Sequence, residues 1–261
     1  DLATVGQAGL SLTRDGTLTL DSAKFDDAFK NRQGDLRTLF TEQRTATGAG
    51  LSFVSSAQTA TGGARAIDIT AIATKATLST TGFAGTYDAG GTADGVTVTD
   101  TNSGRTTTVA LTTGMSTADI VLALQTAFDT DGLNLTATQV GNEIQLDQLN
   151  FGLGAGIGLV FTGLGDGAAA AWSADPSAAG TDVAGTIGGF AATGMGQLLV
   201  GTSGTDAEGL TVQYTGLTIG AAGSINLSLG AGARIERLLD QFLNTGGGLI
   251  DSKVSALDTS N

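Results

Sequence analysis

The chain has 261 residues, 41% of them apolar, with 41 glycines against a single proline and a formal net charge of −13. That length and apolar content suffice for one large buried core or two modest ones, while the absence of Cys and His removes thiol nucleophiles, disulfides, imidazole bases and most zinc or copper sites. The acidic balance argues against nucleic acid and anionic membranes, whose phosphates need clustered Lys and Arg, and no apolar run approaches the roughly 20 residues of a membrane-spanning helix.

Asp1 is not an initiating Met and no signal peptide opens the chain, so it reads as an excised fragment. Leu10 to Leu12 and Leu18 to Leu20 alternate apolar and polar residues around Asp15-Gly16, a hairpin signal. Asp21 or Ser22 caps a predicted helix with Phe25, Ala28 and Phe29 on one face. Gly34 is expected to break it, and Asp35 to start a second helix with Leu36, Leu39 and Phe40 inward.

Strands are predicted at Ala66–Leu78, Val96–Thr99, Thr106–Leu111, Leu133–Thr138, Glu143–Leu146, Gly196–Val200, Leu210–Tyr214 and Ser224–Leu229. Val96–Leu111 forms a hairpin around Asn102-Ser-Gly104. One helix interrupts the strands: Ser116 and Asp119 form a capping-box variant, Ile120, Leu124, Ala127 and Phe128 share a face, and Asp131-Gly132 ends it. The C-terminal end carries a sharp amphipathic helix, with Ile235, Leu238, Leu239, Phe242 and Leu243 on one face and Gly246 to Gly248 stopping it. Ile250, Val254 and Leu257 then begin a heptad seam.

Charge divides the chain. Residues 1–45 and 230–261 hold nine of the twelve basic residues and a net of −2, whereas residues 46–229 hold only Arg65, Lys75 and Arg105 against fourteen acids. The pattern predicts a β-rich α+β fold: a discontinuous small α+β domain, residues 1–45 and 230–261, interrupted by a large β-rich acidic insertion, residues 46–229. The insertion, one unit or two nested ones, contains one helix lying on a sheet.

Catalytic signals fail in context. Gly163, Gly165 and Ala168 follow an apolar strand, Leu159-Val-Phe161, in the G-x-G-x-x-A form of a dinucleotide fingerprint, and Asp182 lies near the distance of a ribose contact. Pro176 cuts the required helix short, and no βαβ unit surrounds it. Asp129-Thr-Asp131-Gly132 opens like a calcium loop but lacks its later ligands and closing Glu. Asp166, Asp175, Asp182 and Asp206, the carboxylates a glycosidase would pair, sit in turn-like settings where Asp serves local hydrogen bonds. Without His a serine triad has no base, and none of the four lysines stands in an S-x-x-K frame. The reading is therefore of no enzyme, with no catalytic, cofactor-binding or metal-ligating residues and no cofactor. Tyr87, Trp172 and Tyr214 are the aromatics a glycan-binding surface would use, although their spread favours core or loop anchoring.

Residues 9–29, Gly9-Leu-Ser-Leu-Thr-Arg-Asp-Gly through Phe25-Asp-Asp-Ala-Phe29, resemble bacterial flagellar filament cap proteins (hook-associated protein 2). Asn31-Arg-Gln-Gly34 stands where that family has Asn-Pro. Ala233 to Leu243 and Gly248 to Asp258 resemble the helix leading into the family's C-terminal coiled coil. Gly114 to Ile120, with the strands at 133–138 and 143–146, is similar to the flagellin hook repeat, spanning about 66–165; Ala123-Leu-Gln125 replaces its Ile-Asn pair. Thr181 to Gly189 and Gly204 to Gly216 also look like long cap proteins.

The resemblance implies a structural component at the extracellular tip of the flagellar filament, with the coiled-coil legs truncated. It would form a homo-oligomeric ring, promote flagellin polymerisation, contact hook-filament junction proteins and use an export chaperone, with no nucleic acid and no membrane insertion. The alternative is a bacterial surface adhesin whose acidic insertion binds host mucin, another glycan or protein.

Overall fold

The computed structural model describes residues 2, 4–15, 17–80, 85–88, 94–162 and 177–235. At the N-terminal end, β1 (Leu10–Leu12) and β2 (Leu18–Leu20) pair antiparallel with Leu10 opposite Leu20. Asp21 caps α1 (Ser22–Asn31) by accepting from the Lys24 N–H. The helix stops at Arg32 (φ −140°), so α2 (Gln33–Phe40) begins earlier than expected and takes Gly34 into its first turn. Leu2, Ala8, Ala28 and Leu36 are buried together, with Phe25, Leu39 and Phe40 against them. Phe29, expected on the inner face, is 52% exposed.

Next come β3 (Gln43–Thr47), β4 (Leu51–Ser56) and β5 (Gly63–Ala71). The single strand expected at 66–78 is two, because β6 (Lys75–Thr80) belongs to another sheet. Side-chain parity explains the break. Ile67 and Ile69 face inward on β5, whereas Ala76 and Leu78 face inward on β6. One continuous strand with period two cannot bury both sets on one face.

Strands β7 (Asp94–Asp100) and β8 (Arg105–Leu111) form the expected hairpin, and α3 (Thr117–Asp131) follows. Its capping box is complete: Ser116 accepts from the Asp119 N–H, and the Asp119 carboxylate accepts from the Ser116 N–H. Gly132 closes the helix in the left-handed region at φ 66°, while the Arg105 guanidinium donates to the Asp131 and Gly132 carbonyls at 3.0 and 3.1 Å. The remaining strands of this unit are β9 (Leu135–Val140), β10 (Glu143–Phe151), β11 (Gly156–Thr162) and β12 (Ser177–Ala179).

These strands make two sheets rather than the one expected, ordered β6-β10-β9 and β12-β11-β7-β8. Helix α3 packs on β8 and β9, one edge strand of each sheet, and β6 lies beside β12 at the other side. One core fills the space between, centred on Phe128, Ile120, Leu124, Leu135, Ile144 and Ile157.

The chain then returns through β13 (Ala184–Ile187), β14 (Phe190–Met195), β15 (Leu198–Gly201), β16 (Leu210–Tyr214) and β17 (Gly220–Ser228). With β3, β4 and β5 they form an eight-stranded antiparallel sheet, ordered β3-β17-β5-β13-β14-β15-β16-β4. Its two outer strands are consecutive in sequence and pack on each other, so the sheet rolls up. Eight strands leave an interior that side chains fill, here Ile67, Ile69, Ile187, Leu199, Val212 and Ile225 among others. The rolling brings backbones close together. A Cβ on Gly185 would strike the Asp68 carbonyl of the neighbouring strand.

The fold is β-rich α+β. A Cβ on Gly230, just after β17, would meet the Phe40 backbone, so the described C-terminal end lies against the N-terminal body. Leu238, Leu239, Phe242 and the heptad at Ile250, Val254 and Leu257 lie outside the described residues.

Candidate functional site: the joint and cleft between two β units

Two crossings connect the rolled sheet to the α3-containing unit: residues 72–74 leaving it and 180–183 returning. They pair with each other. The Thr74 N–H donates to the Thr181 carbonyl at 3.0 Å, and the two hydroxyls lie 2.8 Å apart. The Gly152 N–H, in the β10–β11 turn, donates to the Thr74 carbonyl at 3.1 Å. Asp182 stands on the return crossing. Its Oδ1 accepts from the Gly196 N–H at 2.8 Å, in the β14–β15 turn of the rolled sheet, and from the Leu153 N–H at 3.0 Å, in the other unit. Gly152 has φ 110°, and a Cβ there would sit 2.5 Å from that oxygen and 2.8 Å from the Gly196 Cα. Only glycine allows so close an approach of turns.

Beside this joint is a cleft of about 600 Å³ lined by Val54, Leu149, Phe151 and Met195 and by the amides of Asn102, Asn150 and Gln213. Leu149 is 48% exposed and Met195 63%. Grouped exposure of large apolar side chains is a feature of contact surfaces between proteins. The Lys75 ammonium, at the start of the paired strand β6, lies 5.1 Å from the Phe151 ring centre.

A buried polar hub stiffens the α3 unit. Asp100 is 0% exposed, at the end of β7. Its carboxylate accepts from Ser103 Oγ (2.6 Å), Gln148 Nε2 (2.8 Å) and the N–H groups of Asn102 (3.0 Å), Asn134 (3.2 Å) and Ser103 (3.4 Å). Gln148, equally buried, also donates to the Gly156 carbonyl. One carboxylate thus ties the β7–β8 turn, the α3–β9 connection and β10, joining both sheets. Burial pushes its carboxyl up, but the hydrogen bonds from Ser103, Asn134, Gln148 and Asn102 outweigh that and hold it below the ordinary value.

Elsewhere the sequence candidates fall into structural places. Tyr87 is buried and donates to the Asp94 carboxylate, and burial together with that bond pushes its phenol up. Tyr214 is buried in the rolled sheet with its hydroxyl donating to the Thr218 carbonyl at 2.7 Å. Neither aromatic is offered to a glycan; Trp172 lies outside the described residues, as do Gly163, Gly165, Ala168, Asp166 and Asp175. Asp131 ends α3, accepting from the Thr107 hydroxyl, and Asp129 accepts from Gln125. Asp206 lies in the exposed β15–β16 turn, at the other end of β15 from the Gly196 N–H that Asp182 accepts, so the two do not form a catalytic pair. Among the described residues no three carboxylates converge as a metal site would require. Gln125, in the Ala123-Leu-Gln125 segment on α3, accepts from the Ala137 N–H of edge strand β9 at 3.0 Å.

The sequence matches no family model and no curated protein. Among solved structures the likeness is to flagellar cap proteins, and it is a likeness of fold. The D2–D3 domains of the flagellar cap protein FliD from Escherichia coli match at TM-score 0.50 and 17% identity, over 72% of this chain and 99% of that one. The D1–D2–D3 domains of the same protein match at 0.49 and 17%, over 77% of this chain and 59% of that one. The D2–D3 domains of FliD from Serratia marcescens match at 0.44 and 19%, over 65% and 94%. The β-rich α+β class expected from the sequence is the class found.

Proposed function

We propose that the chain is a structural part of a bacterial flagellar filament cap, acting through non-covalent contacts and not as an enzyme. The observation that carries this reading is the fold likeness to the E. coli cap domain pair, which spans 99% of that structure. The ordered sequence resemblances at 9–29, 114–146, 181–189 and 204–216 point the same way. In this reading the N-terminal body of β1, β2, α1 and α2, with the chain end at Gly230 against it, lies near the filament axis, and the two β units, whose rolled sheet takes in β3 (Gln43–Thr47), extend from it. The closeness of Gly230 to Phe40 supports that pairing of the ends. The protein would assemble with copies of itself at the filament tip, outside the cell, and guide flagellin subunits into the growing end. The exposed apolar and amide cleft is the kind of surface such contacts use.

Antibody raised against the chain tests the reading directly. Immuno-electron microscopy on the producing bacterium should label filament tips. Labelling spread along the shaft or over the cell body overturns it.

A further inference from the structure

Two covalent crossings, paired at Thr74 and Thr181, would by themselves leave the rolled sheet and the α3 unit free to swing about the line through that pair. A third attachment off that line removes the freedom. The Asp182 carboxylate supplies it, because a single oxygen accepts from Gly196 of one unit and Leu153 of the other at 2.8 and 3.0 Å. The Val183 N–H adds a bond to the Gly196 carbonyl at 2.8 Å, so the β14–β15 turn is held by both its donor and its acceptor. Gly152 and Gly196 bring the two turns into backbone contact, which leaves little room for either to slide.

We infer that Asp182 is a clasp that fixes the angle between the two β units, so that they move as one rigid arm and the cleft between them keeps one shape. The clasp is built into the fold and does not depend on the assembly the protein enters. Its chemistry is acceptance alone: a side-chain oxygen at this position serves, whether of a carboxylate or of an amide.

The absence of native cysteine makes the test clean. Spin labels at Asn142→Cys and Ser203→Cys, both exposed turn positions on opposite units, report the inter-unit distance by pulsed electron paramagnetic resonance in the full chain. The parent should give one narrow distribution. Adding Asp182→Ala should widen it roughly twofold as other angles become populated, whereas Asp182→Asn, which keeps the accepting oxygen, should leave it narrow. A broad parent distribution overturns the inference, and so does an alanine variant as narrow as the parent. Should the alanine variant fail to fold, hydrogen exchange of the unmodified chain decides. The Leu153 and Gly196 amides should show one common protection factor, as a single opening would require; unrelated protection factors overturn the clasp.

Discussion

Asp100→Asn is the most informative single change, because it alters charge and one donor–acceptor relation while keeping volume. Five donors converge on the carboxylate, three on Oδ1 and two on Oδ2. An asparagine supplies one oxygen, which is best placed at the Oδ1 position, facing Asn102, Ser103 and Gln148. Its NH₂ then faces Ser103 Oγ, which turns to accept, and the Asn134 N–H, which cannot. One orphaned buried N–H costs about 1–3 kcal/mol, and the remaining bonds lose charge assistance worth about 1 kcal/mol each. Relief of the carboxylate's desolvation offsets part of this. The net expectation is a loss of about 3 kcal/mol, or roughly 6–12 °C in Tm for a chain of this size. A thermal melt followed by far-ultraviolet circular dichroism reads it, with urea melts for the free energy. A variant melting within about 1 °C of the parent would mean that charge and donor count at this hub are immaterial, and the reasoning would be wrong.

The pH dependence follows from the same group. Its folded pKa is lowered, so its contribution is complete above the unfolded carboxylate value of about 3.9 and disappears as pH falls through the folded value. The stability gap between parent and Asp100→Asn should therefore be constant near neutrality and close below about pH 4; a gap that widens in acid contradicts the sign. Phe128→Ala, emptying a fully buried ring site between α3 and both sheets, should cost about 3–5 kcal/mol by urea denaturation, and a much smaller loss would mean the helix is not docked. Ser116→Ala removes the N-cap acceptor of α3 and should cost about 1 kcal/mol by the same measurement, with Ser116→Thr close to neutral.

Local chemistry made some elements legible. Helix α3 could be read because Ser116 and Asp119 cap it and Ile120, Leu124 and Phe128 repeat at helical spacing. The β7–β8 hairpin could be read from alternating Val and Thr around Asn102-Ser-Gly104. The sequence gives no strand signal for β3, β4, β12, β13 and β14. Apart from β4 they are rich in Ala, Ser, Thr and Gly, and small residues give no strong alternation. The β5–β6 break shows only as a change of parity, between Ile67 and Ile69 on one side and Ala76 and Leu78 on the other. Asp100 carries no mark of its role in the sequence, because its buried partner Gln148 is 48 residues away. Asp182 drew notice for chemistry it does not perform, since its partners Leu153 and Gly196 carry no side-chain signal at all.

The closures of the two units bear on how the protein can assemble. Open strand edges invite pairing with other chains, and most of the edges here are covered. The outer strands of the rolled sheet pack on each other, and α3 lies over β8 and β9, with Gln125 accepting the one outward N–H of Ala137 for which a bond is seen. With edges occupied, addition of one sheet to another is a poor route to an ordered complex. Side-chain surfaces remain, among them the apolar, amide-lined cleft beside the Asp182 joint. A surface of that kind forms specific contacts only while its two walls keep their spacing, because interface complementarity is lost when one wall rotates. The rigidity of the joint and the usefulness of the cleft are therefore one requirement on the sequence, and the small residues at 152 and 196 that leave no mark in a hydrophobic profile are where it is met.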